Sequence, residues 1–319
     1  MSPLCSFRAG IAACSLALAA TLSLPAAFAQ GEGAAAVATT IVTALPKGGE
    51  AAPPVPQSSF TLKVDGKAVQ PTIWQPYGQG EVQLVLLIDN SLRTSFARNL
   101  EDLANFINAL PPNISIGIAY MQNGAALFNQ PFTKDHAAAA KTLHIPAGTA
   151  GSNASPYFCL QDLARRWPAA QSGARREVMM ITDGVDEYNL RYDPEDPYVR
   201  AAVDDSNRSG MVVFPVYFRD QGRLGNSRYE TDAGQNYLFQ VADATGGNMY
   251  YEGLSNPVSL TPFLQDLTRR LQNQYELGVP VKPEKKVTFA DLKLKTENGA
   301  MKLKAANRVV VPAASTGPM

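Results

Sequence analysis

The sequence predicts an α/β chain with a doubly wound, mostly parallel sheet and helices on both faces, accompanied by a small β module. Three observations carry this reading. Near-continuous apolar runs of strand length recur between Gln83 and Tyr217, as strands buried on both faces require. Stretches of helical apolar periodicity separate most of them, the alternation from which parallel sheets are built. Period-two patterns before and after that region, at Phe60, Leu62 and Val64 and at Leu292, Leu294, Met301 and Leu303, mark half-buried strands.

In chain order, residues 1–29 read as a secretory signal. Arg8 precedes an apolar run through Ile11, Leu16, Leu18, Leu22 and Leu24, and Ala27-Phe28-Ala29 forms an Ala-x-Ala cleavage site before Gln30. A rival lipoprotein box, Ile11-Ala12-Ala13-Cys14, would leave few apolar residues after Arg8. Export to a periplasm, a cell surface or the medium is therefore expected. No later stretch reaches about 18 consecutive apolar residues, so no integral membrane span is expected. Cys5 and Cys14 would leave with the signal, and Cys159 would then have no intramolecular partner. Lys and Arg total 28 and Asp and Glu total 28, with no long run of either sign. That balance argues against nucleic acid or an anionic membrane as the main partner, so a partner, expected to be protein, must be sought through local surface and not net charge.

Residues 30–58, rich in Ala, Gly, Pro and Thr and including Ala51-Ala52-Pro53-Pro54-Val55-Pro56, read as a flexible or partly extended tether. Residues 59–80 form a β flank, in which Asp65-Gly66 is a two-residue hairpin turn. The main domain spans 81–277. Its first core strand, Gln83 to Ile88, leads into a helix carrying Phe96, Leu100, Leu103, Ile107 and Leu110, which Pro111-Pro112 stops. Further strands are expected at Ile114 to Tyr120, Ala126 to Phe132, Val178 to Ile181, Val212 to Tyr217 and Asn248 to Tyr251. Ser155-Pro156 and Asp196-Pro197 are cap and first-turn pairs for two intervening helices, and Leu260, Leu264, Leu267 and Leu271 line the last. Residues 278–312 return to period two. Leu292 and Leu294, Glu297-Asn298-Gly299, then Met301 and Leu303 read as a β-hairpin with lysines on its opposite face, and 313–319 as a tail. The two β flanks are expected to pair into a small sandwich.

Ligands of open parallel sheets bind at the carboxyl ends of the strands. Two such ends carry aspartate: Asp89-Asn90-Ser91-Leu92-Arg93 and Thr182-Asp183-Gly184. At these residues the chain resembles the von Willebrand factor type A (vWA) family, across roughly Glu81 to Tyr275. The flanks Phe60 to Val69 and Asn273-Gln274-Tyr275-Glu276-Leu277-Gly278 are similar to edges of exported bacterial vWA-related proteins of uncharacterised function. The resemblance implies a metal-ion-dependent adhesion site, in which an Asp-x-Ser-x-Ser loop, a threonine and a later aspartate hold a divalent cation such as Mg²⁺. Asp89, Ser91 and Asp183 match that pattern, and Thr149 or Ser152 would fill the threonine position. The second serine position is Arg93, which has no lone pair and would set a cation beside the metal. The expectation is a degenerate, metal-independent binding face, with a cation-dependent adhesion module as the alternative.

Two loops extend that face: Asp183 to Asp196, with Asp186, Tyr188 and Tyr192, and Arg219 to Tyr237, with Arg219, Arg223 and Arg228. The same residues could instead form a solvated, ion-paired rim, and each aspartate could serve turn amides or a helix cap. His136 and His144 are assigned to one probable helix, Asp135 to Leu143, with no metal-ligand partner at useful spacing, and Cys159 sits on an apolar helix face. No Gly-x-Ser-x-Gly elbow, phosphate loop or dinucleotide fingerprint appears, so no enzyme is expected. Hydrolysis by a carboxylate pair is the remaining enzyme reading.

Overall fold

A computed structural model describes residues 36–46, 54–149, 151–168, 173–219, 228–253, 255–297, 299 and 301–314, without the side chains of 93–95. The expected signal at 1–29 lies outside the described residues. Among them no helix is long and apolar enough to cross a membrane.

The central sheet has five strands: β5 (Val82–Asp89), β6 (Ile114–Gln122), β7 (Ala125–Thr133), β8 (Arg175–Thr182) and β9 (Met211–Tyr217), in the spatial order β7-β6-β5-β8-β9. The first pairs in parallel with β6 and β8, β8 with β9, and β7 runs antiparallel at the edge. All eight residues of β5 are buried, because the sheet is covered on both sides. On one face lie α1 (Leu100–Asn108), α2 (His136–Ala140) and α6 (Thr261–Gln272), supplying Leu103, Ile107, Ala139, Leu264 and Leu267 against Leu84, Leu86 and Ile88. On the other lie α3 (Pro156–Arg165), α4 (Pro197–Arg208) and α5 (Arg228–Thr245), whose Leu160, Val199 and Leu238 meet Val85 and Leu87. This is the doubly wound arrangement. Two expected details differ. Asn248 to Tyr251 contributes a single bridge, Tyr250 to Val216, in place of a strand. Arg219 to Tyr237, expected as a loop, is helical from Arg228 onward, where α5 begins, whereas Ser155 and Pro156 take the N-cap and first-turn places of α3 as expected, without a side-chain capping bond.

The flanks build two further four-stranded sheets around a separate core. One orders β12 (Met301–Ala305), β1 (Ala36–Pro46), β10 (Gln274–Val281) and β4 (Ile73–Pro76); the other orders β13 (Arg308–Val311), β11 (Thr288–Thr296), β2 (Phe60–Val64) and β3 (Lys67–Val69). Asp65 and Gly66, both at positive φ, make the expected two-residue turn between β2 and β3.

Two expectations are corrected here. The segment 30–58 is not a tether throughout: 36–46 is a strand paired on both sides, to β10 and β12, with Val42 and Ala44 fully buried. Val37, Thr39, Thr40, Ile41, Val42 and Thr43 are β-branched, and averaging them with the surrounding Ala, Gly and Pro hides a strand. The pattern at 288–305 is not a hairpin either. Its two arms alternate as expected, but β11 pairs with β2 and β13 while β12 pairs with β1, so the chain crosses between sheets. A period-two pattern states which side chains are buried and not which strand is the neighbour.

Sandwich and sheet meet at Arg175, at the start of β8. Its Nη1 donates to Leu271 O (2.7 Å) and to the Gln274 side chain, Nη2 donates to Gly80 O (3.3 Å), and the guanidinium lies 4.8 Å from the centre of the Tyr77 ring. It thereby fastens both connections between the layers, 77–80 and 271–274. Glu177 lies beside it, completely buried, and neither carboxyl oxygen has a well-formed hydrogen bond. Burial raises its pKa to about 8 against the opposing pull of Arg175 and the facing Gln274 amide.

Candidate functional site

The carboxyl end of β5 delivers Asp89 into a fully buried position, where the following 3-10 segment (Asn90–Asn99) begins. Its Oδ1 accepts from the Ser91 backbone N–H (2.9 Å) and the Ser91 hydroxyl (2.7 Å). Its Oδ2 accepts from Asn153 Nδ2 (2.8 Å) and the Thr182 hydroxyl (2.6 Å). Each oxygen thus receives one obligate N–H donor and one hydroxyl. Burial pushes the Asp89 carboxyl upward, and the hydrogen bonds from Thr182, Ser91 and Asn153 pull it back toward the charged form.

A divalent cation bonded to Asp89 needs a free lone pair there and further oxygens around it. Here the carboxylate is satisfied by protein donors, and Asn153 presents an amide donor to Oδ2. Among the described residues no three His, Cys, Asp or Glu side chains cluster so as to hold a metal. The donor set does not fit an ion bonded directly to Asp89.

Asp183 is also buried, and its Oδ1 accepts from Val185 N (3.0 Å). Asp186 accepts from the amides of Tyr188 (2.9 Å) and Asn189 (3.3 Å), and burial raises its pKa. Both shape the loop and neither presents a carboxylate to solvent. Thr149 is exposed in a turn closed by Ser152 N donating to its carbonyl (3.0 Å), and the hydroxyl of Ser152 is buried without a partner. Neither takes the place at Asp89 Oδ2 that the structure gives to Asn153 and Thr182. Sequence reasoning missed both: Asn153 lies one residue past the Ser152 candidate, and Thr182 one residue before Asp183. A hydroxyl residue directly preceding the strand-end aspartate was a usable signal for Thr182. Asn153 had none, since its role depends on the fold bringing 151–155 against β5.

The first residues of α3 and the segment before it organise this face. Asn153 binds Asp89, the Tyr157 hydroxyl donates to Gly184 O (2.7 Å), and Phe158 packs 5.2 Å from Tyr188 and 5.1 Å from Tyr198. Tyr188 and Tyr198 meet edge to face at 5.2 Å, and Tyr188 is 64% exposed, with Leu190 (51%) and Tyr229 (52%) also open to solvent. Tyr192 is half-buried against Tyr237, and its N–H donates to the Tyr229 hydroxyl (2.8 Å). The Asp183-Gly184 turn rests on α5 through Gly234, where an added Cβ would stand 2.3 Å from Asp183 O. Arg219 is anchored by its backbone to Asn256, and Arg228 lies exposed, 3.8 Å from Asp232. The Arg93 side chain and Arg223 lie outside the described residues.

Elsewhere, His136 Nε2 contacts Ile114 O (2.8 Å) and His144 stacks on Tyr120 (4.0 Å). Cys159 is buried, and burial drives its thiol pKa far up, away from the thiolate.

No family model matches the chain, and no curated protein matches it. Solved structures do. The conserved hypothetical protein BatB from Bacteroides thetaiotaomicron is 16% identical, over 60% of this chain and 97% of that one, with a TM-score of 0.43. An aerotolerance-related membrane protein from Bacteroides fragilis is 16% identical over 60% and 98%, with a TM-score of 0.40. The SpRpn10 VWA domain is 14% identical over 59% and 94%, with a TM-score of 0.38. At such scores the assignment stands on the chain's own strand order and loops. A sheet ordered β7-β6-β5-β8-β9 with one antiparallel edge, helices on both faces and an Asp-x-Ser loop at the carboxyl end of the first core strand is a vWA-like fold.

Proposed function

We propose that this chain is an exported, non-enzymatic module that binds a partner protein, without a metal ion, at the carboxyl edge of its sheet. The observation that carries the metal-free reading is Asp89, whose two oxygens take four protein donors. The contact surface is the ring cluster of Phe158, Tyr188 and Tyr198 with exposed Leu190, since aromatic groups supported by packed neighbours contribute most to protein interfaces. The non-enzymatic part is supported by the isolation of each histidine and the burial of Cys159.

Calorimetric titration of Mg²⁺, Mn²⁺ and Ca²⁺ into the chain, beside Arg93→Ser, tests it. The natural protein is expected to take up none of the three. Stoichiometric uptake would overturn the metal-free reading in favour of a cation-dependent adhesion module. Uptake by Arg93→Ser alone would identify that arginine as what disables the site.

A further inference from the structure

The sandwich carries a groove of about 480 Å³ at the corner where the chain crosses from β11 to β12. Its walls are the outer half of β11 and the free edge of β12. Residues 292–296 of β11 pair with β2 on one side, whereas β13 reaches only to Asp291 on the other. Hydrogen-bonded and non-hydrogen-bonded positions alternate along an antiparallel ladder. Asp65 N donates to Asp291 O (2.9 Å), so the odd-numbered residues face β2 and the even-numbered ones turn their backbone groups the other way. Leu292 N is taken by Asn307 O (2.8 Å), and Leu294 is next along that edge.

The side chains add two features. Half-buried Leu294 and Leu303 line the groove, where the two sheets of the sandwich part. Exposed Lys63, Lys293 and Lys295 stand on its rim, and Lys63 lies directly opposite Lys293 in the β2–β11 register. A like-charged cross-strand pair costs stability. Among the described residues none of these three lysines is paired to a carboxylate. The groove's lining carboxylate, Asp243, is engaged by Lys304. Lys293 and Lys295 are lysines of the period-two C-terminal segment and Lys63 belongs to the N-terminal flank, and the proposed carboxyl-edge face uses none of the three.

We propose that this groove docks an extended acidic segment of a partner polypeptide, which adds as a strand to the free edge of β11. Apolar side chains of the segment would meet Leu294 and Leu303, and its alternate carboxylates would answer Lys63, Lys293 and Lys295. The mode is strand addition, in which main-chain bonds supply affinity and alternate side chains supply selectivity. Leu292 to Lys295 span roughly 10 Å, and within that stretch Leu294 presents both backbone groups to the groove, so the docked segment is held by main-chain bonds there and by its side chains on either side.

The test is fluorescence anisotropy of a labelled heptapeptide alternating leucine and glutamate, titrated with the full chain and with a Lys63→Glu/Lys293→Glu variant. Saturable binding is expected, weakened by added salt and about tenfold weaker in the variant. Lys63→Ala/Lys293→Ala, which relieves the like-charge pair without reversing it, keeps the comparison available if the first variant folds poorly, and it too is expected to bind more weakly. The proposal is overturned by absent or unsaturable binding, by equal affinity of the variants, or by equal affinity for polyglutamate or phosphatidylglycerol vesicles. Either of the last two results would reduce the groove to a nonspecific basic patch.

Discussion

Replacing Glu177 by glutamine isolates the energetics of a carboxyl sealed between the sheet and the sandwich. In the native chain this group titrates near 8 because burial penalises its charge, whereas its ordinary value is 4.5. Between those values the unfolded chain has released the proton that the native chain still holds. Stability therefore falls as pH rises from about 4.5 to about 8. At ~1.4 kcal/mol per pH unit the whole gap corresponds to roughly 5 kcal/mol, and relaxation of the surroundings reduces the realised effect to about 2–4 kcal/mol. Glutamine keeps the shape and cannot ionise. The variant is expected to match the natural chain within about 1 kcal/mol at pH 5 and to exceed its stability by about 2–4 kcal/mol at pH 8.

Urea denaturation of both proteins at a series of pH values reads this directly, because every other titrating group cancels in the difference between them. A difference that stays constant from pH 5 to pH 8 would refute the reasoning: Glu177 would then keep the same charge in native and unfolded chains. A variant less stable at every pH would mean that the Arg175 guanidinium holds Glu177 ionised.

Three further outcomes follow from the packing. Asp89→Ala strands the Ser91 N–H and Asn153 Nδ2 in a buried position and is expected to cost about 3 kcal/mol; a loss under 1 kcal/mol in urea denaturation would mean that water replaces the carboxylate. Gly234→Ala drives a methyl against Asp183 O and should lower the melting temperature through a loss of about 1–3 kcal/mol, and an unchanged melting curve would show that α5 can retreat from the turn. A fragment beginning at Ser58 lacks β1 and should lose cooperative unfolding of the sandwich, whereas a fragment beginning before Ala36 should retain it; calorimetric melting distinguishes them.

Much of this fold was legible in the residues. The run Gln83 to Ile88 reads as a strand buried on both faces because it is near-continuously apolar, of strand length and followed at once by Asp89-Asn90-Ser91, and β5 is that strand. Asp65-Gly66 reads as a turn because both residues accept positive φ. The tether at 30–58 failed because composition averaged over the segment obscured the β-branched stretch inside it. Around the site, Asp89, Ser91 and Asp183 could be found from their places after core strands, but their surroundings could not. Asn153 reaches Asp89 from 64 residues away, and Thr182 from 93.

By itself the sequence determined most of the alternation of strands and helices in the main domain, the buried face of the strands and helices it located there, and the strand ends at which aspartates fall, since these follow from local periodicity and backbone preference. The tertiary structure alone decided that β11 and β12 part into different sheets, that Asn153 and Thr182 close around Asp89, and that Glu177 is sealed beside Arg175. Those outcomes depend on which distant segment arrives as a neighbour. A local pattern of buried and exposed positions is the same whichever neighbour that is.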